Sequence, residues 1–154
     1  MKNKAIGEAL PQKIIIVRCF DKRIDVPLHA MYSELKMLGC GTVREEKLAG
    51  GGLVYARHID FANEQIETFI SLGFNGIILV PHTDCYHVRL HNLIPADSTE
   101  CQFFEKEMEK GLLNIRSNFP KIVSYAYVID TEKSKNGLQS VKRCSCSDTA
   151  ELFI

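Results

Sequence analysis

Short apolar runs recur along the chain, and most of them predict buried β-strands. The runs "KIIIVRCF" (13–20), "GIILV" (76–80) and "KIVSYAYVID" (121–130) are continuous and rich in β-branched residues. A fourth run, "TVREEKLAGGG" (42–52), alternates before three glycines, which predicts a strand leading into a tight loop. The segment "LQSVKR" (138–143) follows a polar turn and predicts an edge strand.

Between these strands, apolar residues recur every three or four positions, which is the spacing of one helix face. Three helices are predicted, over residues 26–39, 60–73 and about 98–117. Asp60 is the expected N-cap of the second helix, and Asp97 or Ser98 is that of the third. We expect the third helix to be interrupted or bent near Gly111.

Strands that alternate with helices predict an α/β fold with a mainly parallel central sheet flanked by helices. A length of 154 residues suits one domain with a sizeable core. We therefore expect a single domain over residues 1–154, with an N-terminal arm at 1–12 and a tail at 143–154. In such sheets, ligands bind at the carboxyl ends of the strands.

Composition narrows the function classes. Nineteen Lys and Arg residues balance nineteen Asp and Glu residues, so no overall charge attracts the chain to nucleic acid or to an acidic membrane. No signal peptide and no membrane-spanning run is evident, and we expect a cytoplasmic protein. In a reducing cytosol, its six cysteines are expected to be thiols or metal ligands; Cys40 and Cys101 are expected in the core.

Chemically active residues follow two of the predicted strands. Cys19, Asp21 and Arg23 come after the first, and His82 and Cys85 come after "GIILV". The carboxyl ends of parallel strands meet at one edge, so the two groups can be neighbours. Two thiolates and one imidazole suit Zn²⁺ and leave a fourth position open. The alternative is that each cysteine is a small buried apolar residue and that the Asp–Arg pair is a surface ion pair.

The segments "CFDKR" (19–23), "KLAGGG" (47–52) and "GIILVPHTDC" (76–85) together resemble the metal-site motifs of the β-class carbonic anhydrases. The resemblance runs over about residues 13–141 and implies a parallel sheet with an added antiparallel strand. It also implies a homodimer or a dimer of dimers. Its implied activity is the reversible hydration of CO₂, a small-molecule substrate, to bicarbonate by zinc hydroxide.

In this resemblance Zn²⁺ is held by Cys19, His82 and Cys85, while Asp21 and Arg23 form a catalytic gate beside the metal. Pro81 and Tyr86 depart from the family pattern, which has glycine at both positions. These departures leave two alternatives open: a non-catalytic zinc-binding relative, and a hydrolase of carbonyl sulfide or carbon disulfide on the same scaffold.

Overall fold

The computed structural model describes residues 11–131 and 141–143. The strands are β1 (Lys13–Arg18), β2 (Thr42–Lys47), β3 (Gly76–Val80), β4 (Val123–Ile129) and β5 (Val141–Arg143). The helices are α1 (Asp25–Met37), α2 (Leu53–Arg57), α3 (Ile59–Ser71), α4 (Tyr86–Leu90) and α5 (Glu100–Asn118), with a 3-10 turn at Lys22–Ile24. Four strands form a parallel sheet in the order β2-β1-β3-β4, flanked by helices, which confirms the predicted α/β class.

The central strands β1 and β3 supply the middle of the core. Every residue of β3 is buried, as are the five residues Ile14–Arg18 of β1. This burial explains why both sequences read as continuous apolar runs and do not alternate. Residues Val141–Arg143 lie antiparallel beside Tyr127–Ile129 of β4.

The helix boundaries differ from the predicted ones in instructive ways. The predicted cap Asp60 is wrong, because α3 begins at Ile59 and its N-cap is His58. The caps predicted for the long helix are also wrong: Thr99 closes a capping box with Gln102. That helix runs without interruption through the glycine at position 111, which allows α5 to approach α2 and β3 closely.

Helices α2 and α4 lie outside the three predicted helices, and one cysteine differs from its predicted burial. Helix α2 follows the three glycines directly, and its five residues are too few to show a helical period. Cys101 is exposed on α5, so its prediction as a core thiol is wrong, whereas Cys40 is buried as predicted. No described helix is long and apolar enough to cross a membrane. Residues 1–10 of the predicted arm and residues 144–154 of the predicted tail lie outside the described residues.

Candidate metal centre

Cys19 and His82 each follow one of the central strands at the carboxyl edge of the sheet. Arg18 pairs with Val80 in parallel register, so the chain leaves β1 and β3 at the same level. One ligand atom each from Cys19, His82 and Cys85 all lie within 4.8 Å of one another. The three residues are buried, with exposed fractions of 7%, 1% and 2%. The structure thus brings together the three residues that the sequence predicted as metal ligands.

The ring of His82 is oriented as a metal ligand requires. Nδ1 lies 2.7 Å from the carbonyl oxygen of Thr83, a distance at which Nδ1–H donates a hydrogen bond. Nε2 is buried and has no hydrogen-bond partner among the described residues. Oδ2 of Asp21 is 3.9 Å from Nε2, beyond hydrogen-bond distance. A buried nitrogen with a free lone pair is costly unless a cation takes it.

The two thiols of the cluster shift each other's pKa in opposite directions. Cys85 donates to the sulfur of Cys19, and this contact, with smaller contributions from His82 and backbone N–H groups, holds the pKa of Cys19 far below its usual value. The same contact, together with burial, raises the pKa of Cys85. The lowered pKa of Cys19 favours its thiolate, which is the form that binds metal. Two sulfurs, one imidazole nitrogen and a buried site fit the preferences of Zn²⁺.

The loop that carries His82 is tied to the end of β4. The N–H of Thr83 donates to the carbonyl of Ile129 at 2.9 Å, and the hydroxyl of Thr131 donates to the carbonyl of Thr83 at 3.1 Å. The N–H of Thr131 donates in turn to the Thr83 hydroxyl at 3.0 Å. These bonds fix the carbonyl that orients the imidazole.

Asp21 lies beside the cluster and is held by Arg23. Nε of Arg23 is 3.1 and 3.0 Å from the two carboxylate oxygens, and the Arg23 N–H donates to Oδ1 at 2.9 Å. These hydrogen bonds lower the pKa of Asp21 to about 2. The carboxylate is therefore charged near neutral pH, and its hydrogen bonds with the guanidinium fix the orientation of both oxygens.

Asp84 is a residue whose role sequence reasoning missed. Nη1 of Arg23 lies 2.7 Å from Oδ2 of Asp84, and Nη2 donates to its carbonyl at 2.9 Å. The N–H of Asp84 donates to Glu100 at 2.6 Å, and its φ of 53° is left-handed, a conformation that Asp tolerates better than most residues. The only sequence signal was an acidic residue between two predicted ligands.

Arg18 was also missed. It is 3% exposed, and its Nε donates to the carbonyl of Cys19 at 3.0 Å. Its other nitrogens pair with Asp25 and lie 3.6 Å from Glu45. The sequence signal for its role was a charged residue at the end of an apolar strand. A buried arginine needs several partners, so its presence there indicates a network of hydrogen bonds and ion pairs.

The glycine loop approaches the cluster so closely that side chains are excluded. A Cβ at Gly51 would lie 2.8 Å from the Cys19 nitrogen, and one at Gly52 would lie 2.7 Å from the Val80 nitrogen. A Cβ at Gly50 would meet the ring of His87 at 2.8 Å. The loop predicted as a tight turn therefore lies against the ends of β1 and β3, next to Cys19 and His82.

Next to this loop, His87 and His91 reach a cavity of about 400 Å³. Its lining residues are Leu53, Val54, Arg57, His58, His87, His91 and Leu93. Burial lowers the pKa of His87, and the nearby groups of His91 and Arg57 lower it further. Tyr86, where the family pattern has glycine, is 67% exposed and does not fill the buried cluster.

Comparisons with known proteins identify the fold. No protein-family model and no curated protein sequence matches the chain. Among solved structures, the chain is similar to a carbonic anhydrase from Glaciozyma antarctica, with 18% identity, a TM-score of 0.54 and coverage of 94% of this chain and 89% of that one. A β-carbonic anhydrase from Sordaria macrospora, described as tetrameric, has 15% identity and a TM-score of 0.52, with coverage of 93% of this chain and 85% of that one. A β-carbonic anhydrase from Aspergillus fumigatus has 12% identity and a TM-score of 0.53, with coverage of 92% of this chain and 79% of that one. The chain therefore has a divergent β-carbonic-anhydrase-like fold.

Proposed function

We propose that this chain is a zinc-dependent carbonic-anhydrase-like enzyme that hydrates CO₂ reversibly to bicarbonate. The observation that carries the proposal is the buried cluster of Cys19, His82 and Cys85, in which the His82 Nε2 has no hydrogen-bond partner among the described residues. The β-carbonic-anhydrase-like fold supports it independently. In this proposal the chain is one domain that forms a homodimer or a dimer of dimers, and its β5 is the antiparallel edge strand of the fold.

The cluster residues would hold Zn²⁺, and a bound zinc ion lowers the pKa of a coordinated water to supply a nucleophile near neutral pH. The surrounding protein residues orient the proposed ligands and exclude bulk water from them. Thr83 fixes the His82 ring through Nδ1, and Arg18 fixes the turn after Cys19 through its carbonyl. The burial of the cluster keeps bulk water away from its sulfurs.

Asp21 and Arg23 act as the catalytic gate in this proposal. With Arg23 bound to both carboxylate oxygens, Asp21 would be held away from the ligand position and could accept a hydrogen bond from the reacting water. The exposed position of Tyr86 supports an accessible site, since this residue was the main sequence feature favouring a non-catalytic relative.

The test combines metal content with activity in the full chain. We expect one zinc per chain by elemental analysis, together with CO₂ hydration in a stopped-flow assay. Cys19→Ser should lose most of the zinc and the activity, whereas Cys101→Ser, which removes an exposed thiol outside the cluster, should keep both.

Three results would contradict the proposal. A wild-type chain without bound metal, or a Cys19→Ser variant with a full zinc content, would show that the proposed zinc ligands are wrong. Full zinc content without hydration activity would favour the non-catalytic relative.

A further inference from the structure

The cavity beside the glycine loop has a chemical character that the proposed CO₂ chemistry does not require. Four of its lining side chains carry nitrogen donors: Arg57, His58, His87 and His91. No carboxylate is among its described lining residues. Its volume of about 400 Å³ is in the range of small-molecule sites and is larger than CO₂ or bicarbonate needs.

Arg57 supplies a permanent positive charge to this cavity, because a guanidinium does not lose its proton in proteins. Within the described part of the chain, it makes one polar contact, from Nη1 to Glu107 at 3.4 Å. Glu107 has a shorter contact with Lys110, at 2.6 Å. The carboxylate is therefore shared, and most N–H donors of Arg57 have no described partner.

The remaining wall is hydrocarbon. Leu53, Val54 and Leu93 line the same cavity as the nitrogen donors. A phosphate or sulfate ion would find too few charged partners here and would leave the apolar wall uncovered. A ligand with one anionic end and a short apolar body would match both parts.

We propose that this cavity binds a small organic monocarboxylate, with its carboxylate on Arg57 and the neighbouring imidazoles and its hydrocarbon body on the apolar wall. The assignment does not depend on a metal, so it stands or falls separately from the proposed CO₂ hydration. The link to the metal centre is direct contact, since His87 lies against Gly50 of the loop that borders Cys19.

The test uses butyrate and the isotope-labelled full chain, with the imidazole signals of the histidines followed by NMR. Butyrate should shift the signals of His58, His87 or His91 saturably, with a dissociation constant on the order of 1 mM. Butyramide, its neutral analogue, should bind at least about tenfold more weakly. Acetate should also bind about tenfold more weakly, because it lacks two methylene groups.

Variants assign the binding to the cavity. Arg57→Gln should weaken butyrate binding about tenfold or more, whereas Arg44→Gln, an exposed arginine on β2, should not change it. His91→Gln is a second variant that leaves the Arg57–Glu107 contact in place, and it should weaken binding about threefold. Amide spectra verify that each variant is folded.

The results that would overturn the proposal are specific. Butyramide binding as tightly as butyrate would show that the carboxylate is not recognised. Acetate binding as tightly would show that the apolar wall does not contribute. Sulfate that binds as tightly as butyrate would indicate a general anion site. Butyrate-induced shifts confined to His82 would place the ligand at the metal centre.

Discussion

Arg23 and Asp84 bind each other through side chain and main chain across 61 positions of sequence: Nη1 lies 2.7 Å from the carboxylate and Nη2 lies 2.9 Å from the carbonyl oxygen. This contact joins the loop after β1 to the loop after β3. Because Arg23 also binds Asp21, Asp84 fixes one side of the guanidinium while Asp21 binds the other. The orientation of the proposed gate therefore depends on Asp84.

We predict that Asp84→Asn lowers CO₂ hydration about three- to tenfold at neutral pH with unchanged zinc content, since it removes the carboxylate charge that pairs with Arg23 and with Arg89. Asn tolerates the left-handed φ of this position, so the backbone stays in place. With Arg23 less restrained, Asp21 can approach the metal, and the visible spectrum of the cobalt-substituted protein should change. Asp60→Asn, on the exposed first turn of α3, is the control. An Asp84→Asn variant with wild-type spectrum and rate would contradict the prediction.

The opposite pKa shifts of Cys19 and Cys85 predict a pH dependence of zinc binding. The pKa of Cys19 is lowered and that of Cys85 is raised, so one thiol stays protonated near neutral pH without metal. Zinc must displace that proton, and the apparent affinity should rise about tenfold for each pH unit across the neutral range. Chelator competition at several pH values, corrected for the chelator's own protonation, measures this slope. Affinity that does not change with pH would show that both sulfurs are already thiolates.

The proximity of the proposed metal ligands could be predicted from the sequence because it depends on topology. Parallel strands end at one edge, so Cys19 and His82 had to be neighbours once β1 and β3 were paired. The roles of Arg18 and Asp84 could not be read in the same way. They depend on hydrogen bonds to main-chain carbonyls, whose positions are fixed only in the folded chain.

The local errors have a similar cause. Asp60 was a reasonable cap by residue type, but the chain enters α3 one residue before it. The glycine at position 111 suggested a bend from its helix propensity alone, whereas in the structure it lets α5 approach Ala56 and Leu79. In both cases tertiary packing overrode a local preference.

The glycine loop gives a stability prediction with an internal control. Gly51 and Gly39 both have positive φ, 57° and 98°, but a Cβ at Gly51 would lie 2.8 Å from two backbone atoms, whereas one at Gly39 meets nothing within 4 Å. Gly39→Ala should cost about 1 kcal/mol of unfolding free energy from backbone strain. Gly51→Ala should cost about 2–4 kcal/mol, since it must also displace the strand ends. Urea denaturation measures both, and equal losses would show that the close approach carries no cost.

The half-buried carboxyl group of Glu46, next to the Tyr55 hydroxyl, predicts how stability changes with pH. Burial raises the pKa of Glu46, although the hydrogen bond that the Tyr55 hydroxyl donates to its carboxylate acts in the opposite direction. A folded-state pKa above the unfolded one means that the charged carboxylate opposes folding. The stabilising contribution is complete below the unfolded pKa and is lost as the pH rises through the folded pKa.

Glu46→Gln should remove this loss, because glutamine cannot ionise and its carbonyl oxygen can still accept from Tyr55. We expect the unfolding free energy of Glu46→Gln, relative to wild type, to increase as the pH is raised from acid to neutral. Glu67→Gln, an exposed residue of α3, should show no such trend. Urea denaturation at a series of pH values makes the comparison. A Glu46→Gln curve parallel to that of wild type would mean that Glu46 ionises equally easily in the folded and unfolded chains.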